Sequence, residues 1–272
     1  MIDLHTHTTA SDGRASPAEL VARAAAAGVT VLGVTDHDTT AACEAAQIAC
    51  GHAGIEFVPG IEITTMRDGV DVHVLGYFID AASPALRTFL IEQRERRIDR
   101  AREIVARLAA LDIPLDADAI LQPGLEDASK SVGRPWIARA LVASGHAATT
   151  NEAFDRWLSP GRPAFVPRLA ARPEEVFGRI HDARGIASIA HPGLVRRDEW
   201  LEAFAEAGVD GLEAYHADHD MAATARYCDV ARRLGLAVTG GSDYHADDSH
   251  GGGPGSVSLP REEYEQLLRL KP

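Results

Sequence analysis

At 272 residues, 46% apolar and with a formal net charge of −13, the chain is long enough for one large domain or for a core domain carrying an insertion. That acidity speaks against a broad polyanion-gripping face, and no window approaches the roughly eighteen consecutive apolar residues of a membrane span. The three cysteines, Cys43, Cys50 and Cys228, are odd in number and lack CxxC spacing, which excludes a disulfide framework and a thiolate zinc site.

The opening Met-Ile-Asp-Leu-His has neither the basic nor the apolar region of a signal peptide, so the expected location is the cytoplasm. In the first third, short β-type runs alternate with helical stretches: MIDLHTHT, VTVLGVTDH, EFVPGIEITT and VDVHVLGYF. That rhythm predicts βαβ units and a parallel sheet. The first helix is well marked, with Ser16 as N-cap, Pro17 at its first position, Glu19 completing a capping box and Gly28 closing it. Cys43 and Cys50, seven apart, fall on one face of a second helix as small core residues.

From Ser83 to Asp112 the pattern becomes one long amphipathic helix, with Leu86, Phe89, Leu90, Ile98, Ala101, Ile104, Val105, Leu108 and Leu111 at helical spacing. Further helices are predicted around 116–121, 133–144 and 150–158. The β-type runs return as GIASIAH, GVDGLEAYH and LAVTGGSDYH, separated by helical stretches around 197–207 and 219–234. The prediction is a seven-stranded α/β barrel formed by residues 1–82 and 173–272, with residues 83–172 inserted as a helical subdomain. Charge follows the same division: residues 91–173 hold 13 Lys and Arg against 11 Asp and Glu, so the excess of acid lies in the barrel.

At or near the C-terminal ends of six predicted strands stand His5 and His7, Asp36 and His37, Glu62, His73, His191, and Asp243 with His245. The seventh ends in Tyr215-His216. Alternate residues share one face of a strand, so His5 and His7 project together, and strand ends of a parallel barrel aim side chains into one cavity. One such histidine is ordinarily structural, but six of the twelve converge here. Imidazoles and carboxylates buried this densely are costly to desolvate and repel one another unless cations join them. Nitrogen and oxygen donors without thiolate point to manganese, iron or zinc.

These motifs resemble the PHP superfamily, named after its polymerase and histidinol phosphatase members. His5-Thr6-His7 with Asp12, Thr35-Asp36-His37, Glu62 and His73, His191, and Ser242-Asp243-Tyr244-His245 follow its motif order along the whole chain. The resemblance implies a distorted seven-stranded parallel (β/α) barrel with two or three divalent transition-metal ions. It implies one ion on His5, His7, Glu62 and Asp243, a second sharing Glu62 with His73 and His191, and a third on Asp12, His37 and His245. Glu62, Asp243 and His191 are then the catalytic centre, with Asp36 and Asp38 as orienters of ligand histidines. Metals about 3.5–4 Å apart lower the pKa of a shared water and clamp the oxygens of an in-line displacement, which suits phosphoester hydrolysis near neutral pH.

The insertion resembles the family branch that acts on 3',5'-bisphosphonucleotides and short RNA 5' ends. Its segments are Ser131-Val-Gly-Arg-Pro-Trp-Ile-Ala-Arg139 and Pro160-Gly-Arg-Pro-Ala-Phe-Val-Pro167. Arg134 and Arg162 each follow a glycine and precede a proline, a rigid and exposed presentation suited to bidentate phosphate contacts. Lys130 and His216 are weaker candidates for substrate contacts, while Arg139 reads as a surface ion pair. His52, His146, His181, His219 and His250 fit no motif and are expected at the surface or core edge.

The expected enzyme is a metal-dependent phosphoesterase removing phosphate from a nucleotide, foremost a nucleoside 3',5'-bisphosphate, with short single-stranded RNA as an extension. Neither a membrane nor an obligate protein partner is implied. The alternatives are a histidinol-phosphate phosphatase, a polymerase-associated exonuclease, and a non-catalytic metal or nucleotide sensor. The absence of a polymerase region weighs against the second, and the complete ligand set weighs against the last.

Overall fold

Seven strands pair in chain order in the computed structural model, which describes residues 1–127, 132–246 and 252–272. They are β1 (Ile2–Asp3), β2 (Val31–Val34), β3 (Glu56–Arg67), β4 (Val70–Tyr77), β5 (Ile186–Ile189), β6 (Gly211–Tyr215) and β7 (Ala237–Gly240). Most neighbours run parallel, but β4 is antiparallel to both β3 and β5. The β3–β4 connection is a hairpin rather than a helical crossover. Arg67 pairs with Val70 across Asp68 and Gly69, whose φ values of 50° and 81° give the two left-handed positions of a type I′ turn. An Asp-Gly pair between two β-type runs is the local signal for this turn, and it overrides the βαβ rhythm expected there.

The chain divides into two compact units, one formed by Met1–Leu90 with Ala171–Pro272 and the other by Ile91–Ala170. In the first, α1 (Pro17–Ala27) has the expected capping box: Glu19 N donates to Ser16 Oγ at 3.3 Å, Ser16 N donates to Glu19 Oε2 at 2.8 Å, and Gly28 ends the helix at φ 81°. With α2 (Cys43–Ala53) it packs Leu20, Val21, Ala24, Ala46 and Cys50 against Leu32 and Val34 of β2. Helix α3 (Pro84–Ala109) begins in this unit and continues into the second, joined there by α4 (Ala117–Glu126), α5 (Arg134–Ala143) and α6 (Thr150–Ala153). The apolar stripe of α3 accordingly serves two cores. Leu86, Phe89 and Leu90 join the barrel core, whereas Ile98, Ile104, Val105 and Leu108 pack with Leu121, Ile137 and Leu141 of α4 and α5. Leu111 lies beyond the helix end and is exposed, contrary to its expected place in the stripe.

After the second unit come α7 (Pro173–Asp182), α8 (Pro192–Val195), α9 (Leu201–Glu206), α10 (Met221–Leu234) and α11 (Arg261–Leu268). Val176, Phe177, Phe204, Tyr227, Tyr264 and Leu267 from these helices complete the core around the sheet. None of the helices among the described residues is long and apolar enough to cross a membrane.

The barrel is drawn together where β1 meets the segment after β7. Leu4 N donates to Gly240 O at 3.3 Å and His7 N to Tyr244 O at 2.9 Å. Buried Asp3 reinforces this seam by accepting from Ser242 N, Ser242 Oγ and Gly255 N at 2.9, 2.6 and 2.7 Å. The seam is tight enough to require glycine at 241, because a Cβ there would stand 2.3 Å from His5 N and 2.8 Å from Asp3 Oδ1. Gly241→Ala therefore forces the two segments apart and should cost at least about 1–3 kcal/mol, read as a lowered thermal midpoint of the metal-free protein. A midpoint equal to wild type would contradict the close-packed seam.

Candidate metal centre

All nine predicted ligand side chains lie in the first unit, and the structure brings them into one cluster that is buried at Glu62, His5, His7 and Asp243 and opens to solvent at Asp12. Glu62 is at its middle. Its Oε2 lies 3.2 Å from each of His5 Nε2, His7 Nε2 and His37 Nδ1, and its Oε1 lies 2.7 Å from His73 Nδ1 and 3.0 Å from His191 Nε2. Asp243 Oδ1 stands 3.3 Å from His5 Nε2 and 3.0 Å from His7 Nε2. Asp12 meets His245 Nε2 at 3.2 Å and His37 Nε2 at 3.7 Å.

Two of these positions are not at strand ends as expected. Glu62 lies midway along the long β3, and His73 lies midway along β4. They meet because β4 turns back: His73 pairs with Thr64, two residues past Glu62, so both side chains project from the same face. The remaining ligands do sit where strands give way to loops, and His191 and Asp243 hold positive φ values of 26° and 52°. Such backbone is costly for residues with a Cβ and persists only where its surroundings fix it.

The donors form overlapping sets: His5, His7, Glu62 and Asp243; His7, Asp12, His37 and His245; and His37, Glu62 and His73. The first matches the expected group, the second is the expected Asp12, His37, His245 group with His7 added, and the third places His37 beside the Glu62–His73 pair. Several donors have no hydrogen-bond partner although buried, namely His7 Nδ1 and Nε2, His37 Nδ1, His191 Nδ1 and Asp243 Oδ1. His7 Nε2 and Asp243 Oδ1 are close but not aligned to share a proton, as two donors turned toward a common cation would be. Orphaned imidazole nitrogens and carboxylate oxygens without thiolate fit a divalent transition-metal centre.

Electrostatics agree with that fit. Burial raises the Glu62 and Asp243 carboxyls, but the surrounding imidazoles outweigh it and hold both well below the ordinary range. Asp12, whose side chain is exposed, is lowered too, by His37, His245 and His7. Burial pulls the His7 imidazole down, yet Asp243 and Glu62 prevail and push it up to about 10; His5 likewise stands well above its usual value, held by Glu213, Asp243 and Glu62. Burial carries His37 down to about 3, aided by neighbouring His7 and His73. In the metal-free chain, protonated His5 and His7 thus supply positive charge beside Glu62 and Asp243.

Asp36 and Asp38, expected to orient ligand histidines, instead tie the loops that carry them. Asp36 accepts from Thr8 N and Thr8 Oγ1 at 2.7 Å and from Ser11 Oγ at 2.6 Å, while Asp38 accepts from Thr64 N and Oγ1 at 3.1 and 3.2 Å. A histidine is held by a residue outside the sequence motifs. Glu213 of β6, fully buried, lies 2.9 Å from His5 Nδ1 and accepts from His191 N at 2.7 Å. Burial raises its carboxyl, but His5, His216 and His191 hold it below the ordinary value. Its signal in sequence is a lone acid inside the apolar run Gly-Leu-Glu-Ala-Tyr.

His216 is buried beside Asp243, with Nε2 at 3.3 Å from Oδ2 and Nδ1 accepting from Asp218 N at 3.1 Å. His219, expected at the surface or core edge, is also buried; its Nδ1 donates to Ala214 O at 2.9 Å and its Nε2 accepts from Gly193 N at 3.1 Å. In the second unit, Arg134 begins α5. It is half-buried rather than openly exposed, with Nη1 3.4 Å from Leu158 O and its guanidinium 5.6 Å from the centre of the Phe154 ring. Arg162 is exposed in a turn following Gly161, and Arg139 is exposed on α5. Lys130 and His250 lie outside the described residues.

The raised imidazole values predict a pH effect in the metal-free protein. A group whose folded value exceeds its unfolded value of about 6.5 contributes full stability below that pH and loses it as pH climbs toward the folded value. The thermal midpoint of the metal-free protein should therefore fall between pH 6.5 and 10, as His5 and His7 lose their protons. Added Mn²⁺ should restore it, with a larger gain at pH 8 than at pH 6.5, because ligation needs the neutral imidazole. A gain that shrinks with rising pH would contradict this charge exchange.

Comparison with known proteins gives the family. Residues 3–138 match the PHP domain. The chain is 38% identical over 250 residues to the 5'-3' exoribonuclease Rnm of Salmonella typhimurium, covering 89% of this chain and 84% of that protein. It is 36% identical over 257 residues to the 3',5'-nucleoside bisphosphate phosphatase of Chromobacterium violaceum, covering 92% and 89%. A crystal structure from Bifidobacterium adolescentis, described as a candidate metal-dependent phosphoesterase, superposes with a TM-score of 0.85 at 33% identity over 98% of this chain and 95% of that one. The motif order, the barrel with its reversed fourth strand and these likenesses together establish that the chain belongs to the PHP domain family of metal-dependent phosphoesterases.

Proposed function

We propose that the enzyme removes a phosphate from nucleoside 3',5'-bisphosphates and acts by extension on the 5' ends of short RNA. The observation that carries this reading is the cluster of imidazoles and carboxylates around buried Glu62, in a chain similar along most of its length to a nucleoside bisphosphate phosphatase and an exoribonuclease. Bound ions, two or three of manganese, iron or zinc, would supply an activated water and neutralise charge on the phosphoryl oxygens. Of the chain's own residues, Glu62 spans two ligand groups through its two oxygens, Asp243 and His191 fix opposite sides of the cluster, and His216 donates to Asp243. These roles predict that purified wild type binds two or three equivalents of Mn²⁺ by metal analysis, whereas Asp243→Ala loses metal and nearly all activity. A folded, Mn²⁺-supplemented wild type holding less than one equivalent would remove the basis of the proposal.

Arg134 and Arg162 are proposed contacts for the second phosphate, on the strength of their Gly-Arg-Pro settings and the guanidinium's match to phosphate oxygens. A substrate with two phosphates gains binding energy away from the reacting group, and that energy can position the ester that is cleaved. The expected outcome is a clearly higher kcat/KM for a 3',5'-bisphosphonucleotide than for the matching 5'-monophosphate, and poor turnover of histidinol phosphate. Arg134→Ala or Arg162→Ala should lower kcat/KM on the bisphosphate by about 2–4 kcal/mol in activation free energy while leaving metal content unchanged. Equal efficiency on mono- and bisphosphates would refute the two-phosphate reading, and a preference for histidinol phosphate would reassign the enzyme to that substrate.

A further inference from the structure

Strand β6 carries no residue of the predicted ligand set, yet its central acid reaches two of them. Glu213 Oε1 lies 2.9 Å from His5 Nδ1, and Glu213 Oε2 accepts the His191 backbone N–H at 2.7 Å. These two ligands stand on opposite sides of Glu62: His5 Nε2 is 3.2 Å from its Oε2 and His191 Nε2 is 3.0 Å from its Oε1. We infer that Glu213 is a positioning residue that braces the donors on both sides of Glu62 at once, an inference that rests on the proposed metal centre.

The chemistry of each contact supports it. A hydrogen bond from Nδ1–H of His5 to a carboxylate fixes the ring's orientation and tautomer, leaving the Nε2 lone pair for a cation. At His191 the same carboxylate holds backbone at φ 26° and ψ 61°, a conformation that does not persist without restraint. His219 adds a second restraint two residues on, through Gly193 N, and leaves no room for a side chain there, since a Cβ on Gly193 would stand 2.7 Å from His219 Nε2.

Glu213, His5 and His216 are close enough to suggest a cation site of their own. The hydrogen bonds argue otherwise. Both Glu213 oxygens already face donors, and His216 Nδ1 accepts from Asp218 N, which puts its proton on Nε2 toward Asp243. Only a carboxylate satisfies both donors facing Glu213. A glutamine in its place has one acceptor oxygen, and its amide nitrogen would face an N–H group with nothing to accept.

The test is Glu213→Gln, measured by Mn²⁺ titration with electron paramagnetic resonance and by the visible spectrum of the Co²⁺-substituted protein. The expected result is unchanged stoichiometry at saturation, Mn²⁺ affinity weakened about 10–100-fold, and a shifted Co²⁺ ligand-field spectrum. Activity should recover as Mn²⁺ is raised. If Glu213→Gln does not fold, Glu213→Asp in the same titration decides, and its expected affinity is also below wild type. Wild-type affinity and spectrum in a folded variant would overturn the brace. Loss of one whole equivalent at saturation would also overturn it, by making Glu213 a ligand. Failure of the underlying metal reading is distinct, because wild type itself would then take up no Mn²⁺.

Discussion

One buried carboxylate with five imidazoles around it sets the terms for the barrel. Removing an isolated carboxylate from water costs several kcal/mol even after relaxation, and Glu62 is almost fully buried. It is tolerated because His5, His7 and His37 face one of its oxygens while His73 and His191 face the other. Those imidazoles do not share the charge evenly: Asp243 and Glu62 push His7 up to about 10, while burial, with His7 and His73 beside it, carries His37 down to about 3. A cluster with such opposed proton affinities is a poor hydrogen-bond network and a good cation site. The orphaned atoms of His7, His37, His191 and Asp243 express the same fact in geometry.

Holding such a cluster requires loops that would not hold their shape alone. The structure supplies a set of acids in and beside the strands, each binding backbone donors from a neighbouring segment. Asp3 fastens the β1–β7 seam beside Asp243, Asp36 fastens the Thr8–Ser11 turn that follows His7, and Asp38 fastens Thr64 of β3. Glu213 differs in reaching an imidazole as well as backbone. The strained backbone at His191 is thus offset by the charge-assisted hydrogen bond its N–H gives to Glu213, and the Asp243 side chain is tied to His216.

The second unit has its own core and a different chemistry. Its residues near charge balance contrast with the acidic barrel, and the Arg134 guanidinium is packed over Phe154 rather than extended. A guanidinium held in this way loses less freedom when its paired N–H donors meet two oxygens of a phosphate, which suits the role proposed for it.

The sequence by itself determined which imidazoles and carboxylates gather at one end of the barrel, because such residue types at strand-end spacing are a local pattern. His5, His7, His37, His191 and Asp243 were legible in this way, as were the α1 capping box and the apolar stripe of α3. Tertiary structure decided what depends on pairing between distant segments. Antiparallel β4 brings His73 onto the face of Glu62, although neither stands at a strand end, since register across a hairpin depends on the partner strand. It also decided the roles of Asp36, His219 and Glu213, because an isolated acid or imidazole looks alike whether it binds metal, solvent or backbone. What separates these roles is the donor each side chain meets: Thr8 and Ser11 for Asp36, Ala214 and Gly193 for His219, His5 and His191 for Glu213, all brought together only when the barrel closes.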